Sequence, residues 1–220
     1  MISENIDERI RDFYRFAADN DFAADSLLRE DNLDKYVETA LDGYSEYPLF
    51  FHILGGSYDR KTLGRMMSVD FKLRLPSTAG IASSDNYESV LMIEPPHTGR
   101  ISLSQYVRCA DPSYYPLLFK PAIYRQMAFE KYALEKRKPF LDDSTWYMYI
   151  FATKKTLQHR GYGKKLMNLA VSYADKKSCR LCLETNHIDN IALYEHFGFR
   201  TVGTSVYKNK LEHYVMMYGG

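Results

Sequence analysis

A chain of 220 residues, 45% hydrophobic and 26% charged, is long enough to bury a sizeable core and ordinary enough in composition to be globular. No apolar run reaches membrane-spanning length, Met1–Asp12 is unlike a signal or transit peptide, and the basic residues are scattered rather than gathered into a nucleic-acid-binding motif. A cytoplasmic protein with no membrane and no nucleic-acid partner is expected.

The net charge of +1 conceals a division: residues 1–60 hold 14 Asp/Glu against 6 Lys/Arg, and residues 61–220 hold 14 against 23. A basic C-terminal part suits a phosphate-rich ligand, while an acidic N-terminal part suits a cationic amine or simply solvated helical faces. The 19 tyrosines suggest aromatic-lined surfaces. Three cysteines, an odd count, make no disulfide framework. Cys179 and Cys182 fall in a predicted strand on opposite faces, with no second pair at zinc spacing, so no metal site is expected.

In chain order, Ile6, Ile10, Phe13 and Ala17 share a stripe that predicts a helix over 4–17, broken by Asp19-Asn20-Asp21. A shorter helix is expected over Phe22–Arg29. Asp31 is the expected N-cap of a third, carrying Leu33, Tyr36, Val37, Ala40, Leu41 and Tyr44 on one face. Pro48 opens an apolar turn through Leu54 that Gly55-Gly56 ends, and a further helix runs from about Asp59 to Leu75, stopped by Pro76. Two strands follow near 80–83 and 87–93, joined at Ser84-Asp85-Asn86. Residues 94–145 hold helical patches around 104–110 and 121–138. The closing hairpin pairs Thr201–Tyr207 with Leu211–Met217 around Lys208-Asn209-Lys210.

The most informative stretch runs from Trp146 to Phe199. Trp146–Ala152 is an unbroken aromatic and aliphatic run of strand length, and Leu166, Leu169, Ala170, Val171 and Tyr173 recur at helical spacing. Between them lies Gln158-His159-Arg160-Gly161-Tyr162-Gly163. A turn from strand into helix exposes unpaired N–H groups at the positive end of the helix dipole, a place where phosphate binds. Gly161 and Gly163 clear the approach, and Arg160, Lys164 and Lys165 add positive charge. A P-loop is excluded, because Gln158 stands where its first Gly belongs and Lys165 where its Ser or Thr belongs. A dinucleotide fingerprint is excluded by Leu166 in place of its third small residue.

The remaining pattern resembles the Q-x-x-G-x-G segment of the GNAT superfamily of acyl-CoA-dependent N-acyltransferases. Downstream of a short strand at Arg180–Glu184, the run from Asn186 to Phe199 is similar to the N-x-x-x-x-Y-x-x-x-G-F segment that follows it there. The resemblance implies an α/β (mixed α+β) fold, one domain over 1–220 with an N-terminal helical part (1–75), an insertion (94–145) and an acetyl-CoA-binding core (146–218). It departs mildly from the pattern at His159, where Gly is frequent, and at Thr153, where Val is.

By that resemblance, the strand before the cradle splays from its neighbour, and the backbone of Phe151, Ala152 and Thr153 meets the pantetheine arm and thioester of acetyl-CoA. The backbone of His159, Arg160, Gly161, Tyr162, Gly163 and Lys164 holds the pyrophosphate, the Gln158 side chain fixes the loop, and Asn190 bonds the pantetheine or caps its helix. Tyr194 is the implied general acid, since a phenol of pKa about 10 can donate to a leaving thiolate. As a residue on an apolar face, it also reads as core. The base is open among Glu94, Glu184, His52 and water. The implied reaction is acetylation of a primary amine, with a small-molecule acceptor expected. A protein lysine or N-terminal amine as acceptor, or a non-catalytic acyl-CoA sensor, are the alternatives. A monomer or homodimer is expected.

Overall fold

The computed structural model describes residues 7–99, 101–109 and 115–219. Its centre is a six-stranded mixed sheet in the order β1-β2-β3-β4-β6-β5. The strands are β1 (Ala79–Ala82), β2 (Ser89–Glu94), β3 (Thr145–Thr153), β4 (Arg180–Thr185), β5 (Arg200–Tyr207) and β6 (Leu211–Tyr218). Only β3 and β4 run parallel, which requires a crossover; the helix after the glycine turn supplies it. The α/β fold expected from the motifs is the one observed.

Helices cover both faces. On one face α1 (Glu8–Ala18) and α8 (Tyr162–Lys177) pack Ile10, Phe13, Leu166, Leu169 and Ala170 against Trp146, Met148 and Leu183. Phe13, Trp146 and Tyr173 form an aromatic knot with ring centroids 5.0–6.2 Å apart. On the other face α2 (Leu33–Gly43) and α4 (Arg60–Arg74) bury Tyr36, Leu41, Leu63 and Phe71 against Val90, Met92, Ile150 and Ala152. Each buried Val, Leu, Ile, Phe or Met among them contributes roughly 1.5–3 kcal/mol relative to exposure. α9 (Asp189–His196) follows β4. No helix among the described residues is long and apolar enough to cross a membrane.

The insertion forms α5 (Leu103–Cys109), α6 (Tyr115–Leu118) and α7 (Pro121–Arg137). Between them, α3 (Pro48–Leu54) and α7 close over one end of the sheet. Ile53 packs with Leu117, Ala122 and Ile123, and Arg125 donates to the Ile53 carbonyl at 2.6 Å. Phe129 and Ala133 of α7 meet Tyr207 and Leu211 of the β5–β6 hairpin.

Several local expectations are corrected. Phe22–Arg29 is not a helix: a single 3-10 turn at Ala24–Ser26 leads into extended chain, where Leu27 bridges Ile81 and the Leu28 N–H donates to Gly80 O at 2.8 Å. Edge pairing with β1 satisfies this backbone better than a helix too short to nucleate. Asp31 does not cap α2; it pairs with Arg29, and Asn32 instead accepts from the Arg29 N–H at 2.8 Å. The first helix begins at Glu8 with Asp7 as cap, and Ile6 lies outside the described residues. So does Ala110, at the end of the expected 104–110 helix.

Candidate active site

Pairing of β3 with β4 runs from Thr145↔Arg180 to Met148↔Leu183 and stops, whereas β2 accompanies β3 to Thr153. The two parallel strands therefore part at Tyr149, where β2–β3 register also slips: Ile93 pairs with Met148 and Met92 with Ile150. Tyr149 is the extra residue of a β-bulge, which re-aims the strand. The β4-facing edge of 149–153 is left without a strand partner.

Two tyrosines from the turn between α2 and α3 enter the gap. The Tyr44 hydroxyl donates to Phe151 O (3.0 Å) and accepts from the Phe151 N–H (3.2 Å). The Tyr47 hydroxyl accepts from the Asn186 N–H (2.7 Å) and lies 3.1 Å from Thr185 Oγ1. Their rings meet at a tilt of 49° with centroids 5.3 Å apart, and burial pushes both phenols up, so both stay protonated at neutral pH. Of the other two backbone positions, Ala152 O accepts from Ser89 Oγ at 2.9 Å, and Thr153 O lies 3.5 Å from Gln158 Nε2.

Beyond Thr153 a 3-10 turn (Lys155–Leu157) leads to Gln158, and the chain enters α8 through two left-handed residues, His159 (φ 61°) and Gly161 (φ 90°). A left-handed His is uncommon, which gives the frequent Gly at this place a conformational reason. A Cβ on Gly163 would stand 3.0 Å from Thr153 Oγ1 and 3.1 Å from Phe151 Cζ, so glycine lets the first turn of α8 lie directly on β3. Gly161, Tyr162, Gly163 and Lys164 of that turn, whose first N–H groups have no intrahelical partner, line the cavity. Lys165 turns away, donating to Ser83 O at 3.0 Å above the Phe22 ring. Arg160 is exposed and not among the residues lining the cavity.

Tyr194 lies on α9 facing this cavity, 7% exposed, with its ring 6.3 Å from Phe151 and 6.0 Å from Phe199. Burial, then the neighbouring Tyr47 and Tyr44, hold its proton tightly. Asn190 is the second residue of α9, not its cap; its amide donates to Thr185 Oγ1 at 3.1 Å, joining the Tyr47–Thr185 contact.

Past Tyr194 the same cavity, about 940 Å³, continues under α3 and α7. Its floor is Tyr147 and Tyr149, each beneath a guanidinium: Arg137 at 4.0 Å and Arg74 at 3.9 Å. Arg137 donates to Glu184 Oε2 at 2.9 Å, and Tyr147 to the same oxygen at 2.7 Å. Glu184 Oε1 lies 3.2 Å from His213 Nε2 without hydrogen-bond alignment. Arg74 bonds Asp70 (3.1 Å) and Glu94, and Asp70 also takes the hydroxyls of Tyr106 and Tyr149.

The three base candidates separate on this geometry. Burial is the largest influence on Glu184 and would raise it, but the Arg137 guanidinium together with His213 and the Tyr147 hydroxyl outweighs it and holds the carboxyl below its usual range. Burial wins at Glu94, which stands above its usual range despite Arg74. His52 is held low by burial and by Lys208, Arg125 and Lys210; it packs on Tyr207 and does not line the cavity.

Phe151, Ala152, Thr153, Gln158, His159, Gly161, Tyr162, Gly163, Lys164, Asn190 and Tyr194 all line one cavity, with Glu94 and Glu184 at its other end. Sequence reasoning missed Tyr44, Tyr47, Tyr147, Tyr149, Arg74 and Arg137. Abundant tyrosine was the sole signal for the four tyrosines, and it carries no position; nothing marked the two arginines.

Residues 128–199 match the model of the Acetyltransferase (GNAT) family. A curated relative, an uncharacterized N-acetyltransferase of Schizosaccharomyces pombe, is 34% identical over 58 residues, 26% of this chain, and the match spans about a quarter (24%) of that relative's length. Among solved structures, a Corynebacterium glutamicum protein described as histone acetyltransferase HPA2 and related acetyltransferase superposes with a TM-score of 0.61 at 16% identity, covering 89% of this chain and 96% of that one. A mosquito arylalkylamine N-acetyltransferase like 5b gives 0.56 at 12% identity, covering 89% and 100%. These likenesses give the fold. Residues 128–199, about a third of the chain, match the GNAT acetyltransferase family and carry its motifs, and the chain as a whole has the fold of these solved acetyltransferases.

Proposed function

We propose that the whole chain acts as one cytoplasmic domain that transfers the acetyl group of acetyl-CoA to the primary amine of a small molecule. The observation that carries this is the single cavity joining the glycine cradle to a chamber roofed by α3 and α7. A cradle whose helix turn lies close on β3, where a Cβ at residue 163 would crowd Thr153 and Phe151, fits a pyrophosphate, and Lys164 adds charge to it. The gap between β3 and β4 fits an extended arm, with Phe151, Ala152, Thr153 and Asn190 along it.

At the junction, Tyr194 lines the cavity with a phenol that burial keeps protonated, and it serves as general acid to the leaving thiolate. Glu94 receives the amine's proton, directly or through water: it lines the chamber, and burial has raised its proton affinity. The roof favours a small acceptor over a protein. Arg125 ties α7 to α3, and Phe129 and Ala133 bind it to the β5–β6 hairpin, so a polypeptide would have to displace packed helices.

Calorimetric titration with acetyl-CoA, beside a thiol-release screen over primary amines and lysine peptides, tests the reading. Saturable binding with turnover on small amines is the expected result. Binding with turnover on peptides alone overturns the acceptor, and absence of binding overturns the whole.

A further inference from the structure

We propose that the acceptor is a primary amine on an apolar or aromatic body that carries no carboxylate, and that the chamber rejects the corresponding amino acid. This rests on the acetyl-transfer reading and names the acceptor class for the same site.

The chamber is built from two arginines that are already committed. Arg74, with a side chain 6% exposed, bonds Asp70 and Glu94 and stacks on Tyr149. Arg137, 14% exposed, bonds Glu184 and stacks on Tyr147. A guanidinium recognises a substrate carboxylate by offering a fork of parallel N–H donors. Here Arg74 gives two of its donors to protein carboxylates and Arg137 gives one, and stacking fixes the planes that would otherwise turn. An incoming carboxylate would have to break a buried pair and leave Glu94 or Glu184 without its cation.

Charge balance points the same way. Among the described residues, Asp70, Glu94 and Glu184 are bonded to Arg74 and Arg137, three carboxyl groups to two guanidiniums. Glu130 acts on this cluster from α7: its charge is felt at Arg74, Tyr106 and Tyr149. A chamber with an excess of negative charge attracts an ammonium and repels a carboxylate. The remaining cation lining the cavity among the described residues, Lys164, is on α8 at the cradle.

The walls supply the rest. Leu49, Phe50 and Ile53 of α3 and Phe129, Ala133 and Leu134 of α7 line the chamber. They offer dispersion and desolvation to a hydrocarbon body and no donor to a carboxylate, which would be buried unpaired.

The test uses matched pairs that differ in the carboxylate alone: phenethylamine with phenylalanine, and isopentylamine with leucine. Each is titrated calorimetrically into the full-length protein without acyl-CoA, so the result does not depend on transfer. The amine is expected to bind at least tenfold more tightly than its amino acid, and the gap is expected to close in Glu130→Lys. Where acetyl-CoA is turned over, kcat/KM is expected to favour the amine by at least a hundredfold. Equal binding, preference for the amino acid, or binding of neither member overturns the inference. Failure to bind acetyl-CoA while the amine preference holds would instead overturn the acetyl-transfer reading.

Discussion

The Tyr44 hydroxyl takes both backbone groups of Phe151, donating to its carbonyl oxygen at 3.0 Å and accepting from its N–H at 3.2 Å. It stands where a β4 residue would stand had the strands not parted, and where the proposed pantetheine arm must lie. Tyr44 is then a competitor that acetyl-CoA displaces. Tyr44→Phe keeps the ring against Tyr47 and Phe50 and removes the competing bonds, each worth a net of about 0.5–1.5 kcal/mol. Acetyl-CoA should bind about fivefold more tightly by calorimetry. The Phe151 amide should lose hydrogen-exchange protection in the free protein and regain it on binding. Unchanged affinity and protection would leave Tyr44 a structural residue.

Tyr194→Phe removes the proposed acid and little else, since the ring keeps its contacts with Phe151 and Phe199. Thiol release should fall by roughly 10²–10⁴ in kcat, with acetyl-CoA affinity within about twofold of the parent. Because burial holds the phenol proton tightly, the alkaline limb of the pH–rate profile should be the same in both proteins. Retained kcat would return Tyr194 to the core.

Gly163→Ala tests the cradle. Its Cβ must push Thr153 Oγ1 or the Phe151 ring, each about 3 Å away, and so move the first turn of α8 off β3. A displacement of that size in an anion site lowers acetyl-CoA affinity by an expected tenfold or so, with circular dichroism unchanged. Wild-type affinity in a folded variant would place the pyrophosphate elsewhere.

Glu94 gives the proposed reaction its acid limb. Because burial raises this carboxyl above its usual range, loss of activity as pH falls should begin above about 4.5, the ordinary carboxyl region. The amine's own protonation adds a slope common to every variant. Glu94→Gln should lower kcat/KM and leave that common slope alone. A second limb persisting in Glu94→Gln would assign the base to another group.

The sheet and the cradle were legible because their signals are local. An apolar strand run, two glycines and a helical stripe lie within one continuous stretch, Trp146–Tyr173. The acceptor chamber was illegible for the opposite reason. Tyr44, Arg74, Arg137 and Tyr149 come from four elements and none has a spacing that marks it, while Glu94 and Glu184 stood out only as carboxyls at strand ends. Phe22–Arg29 failed differently: its composition permits a helix, and pairing of Leu27 and Leu28 with β1 overrode that local preference. Tyr149 as a bulge residue was also invisible, since Trp146–Ala152 reads as an uninterrupted strand.

The Arg137–Glu184 pair carries a stability prediction with a definite sign. Glu184 sits below its usual range because the Arg137 cation, with lesser help from His213 and Tyr147, offsets the larger effect of burial. A carboxyl lowered on folding stabilises above its unfolded value, about 4.3, and loses that contribution as pH falls through its folded value. Arg137→Ala removes the guanidinium and leaves Glu184 buried with Tyr147 and His213 as its remaining neighbours. Burial then dominates, and the carboxyl should rise above its ordinary value. At neutral pH the variant should lose about 3–5 kcal/mol, a fall in Tm of order 10 °C for a chain this size. Its slope should invert: acidification toward the raised value neutralises Glu184 and should recover part of the lost Tm, where the parent would lose some. Arg137→Ala with Glu184→Gln should be more stable than Arg137→Ala alone and nearly flat over that range. A parallel drop in parent and single variant would mean that Glu184 is neutral in the folded protein already. The pair would then position Tyr147 through hydrogen bonds rather than through charge.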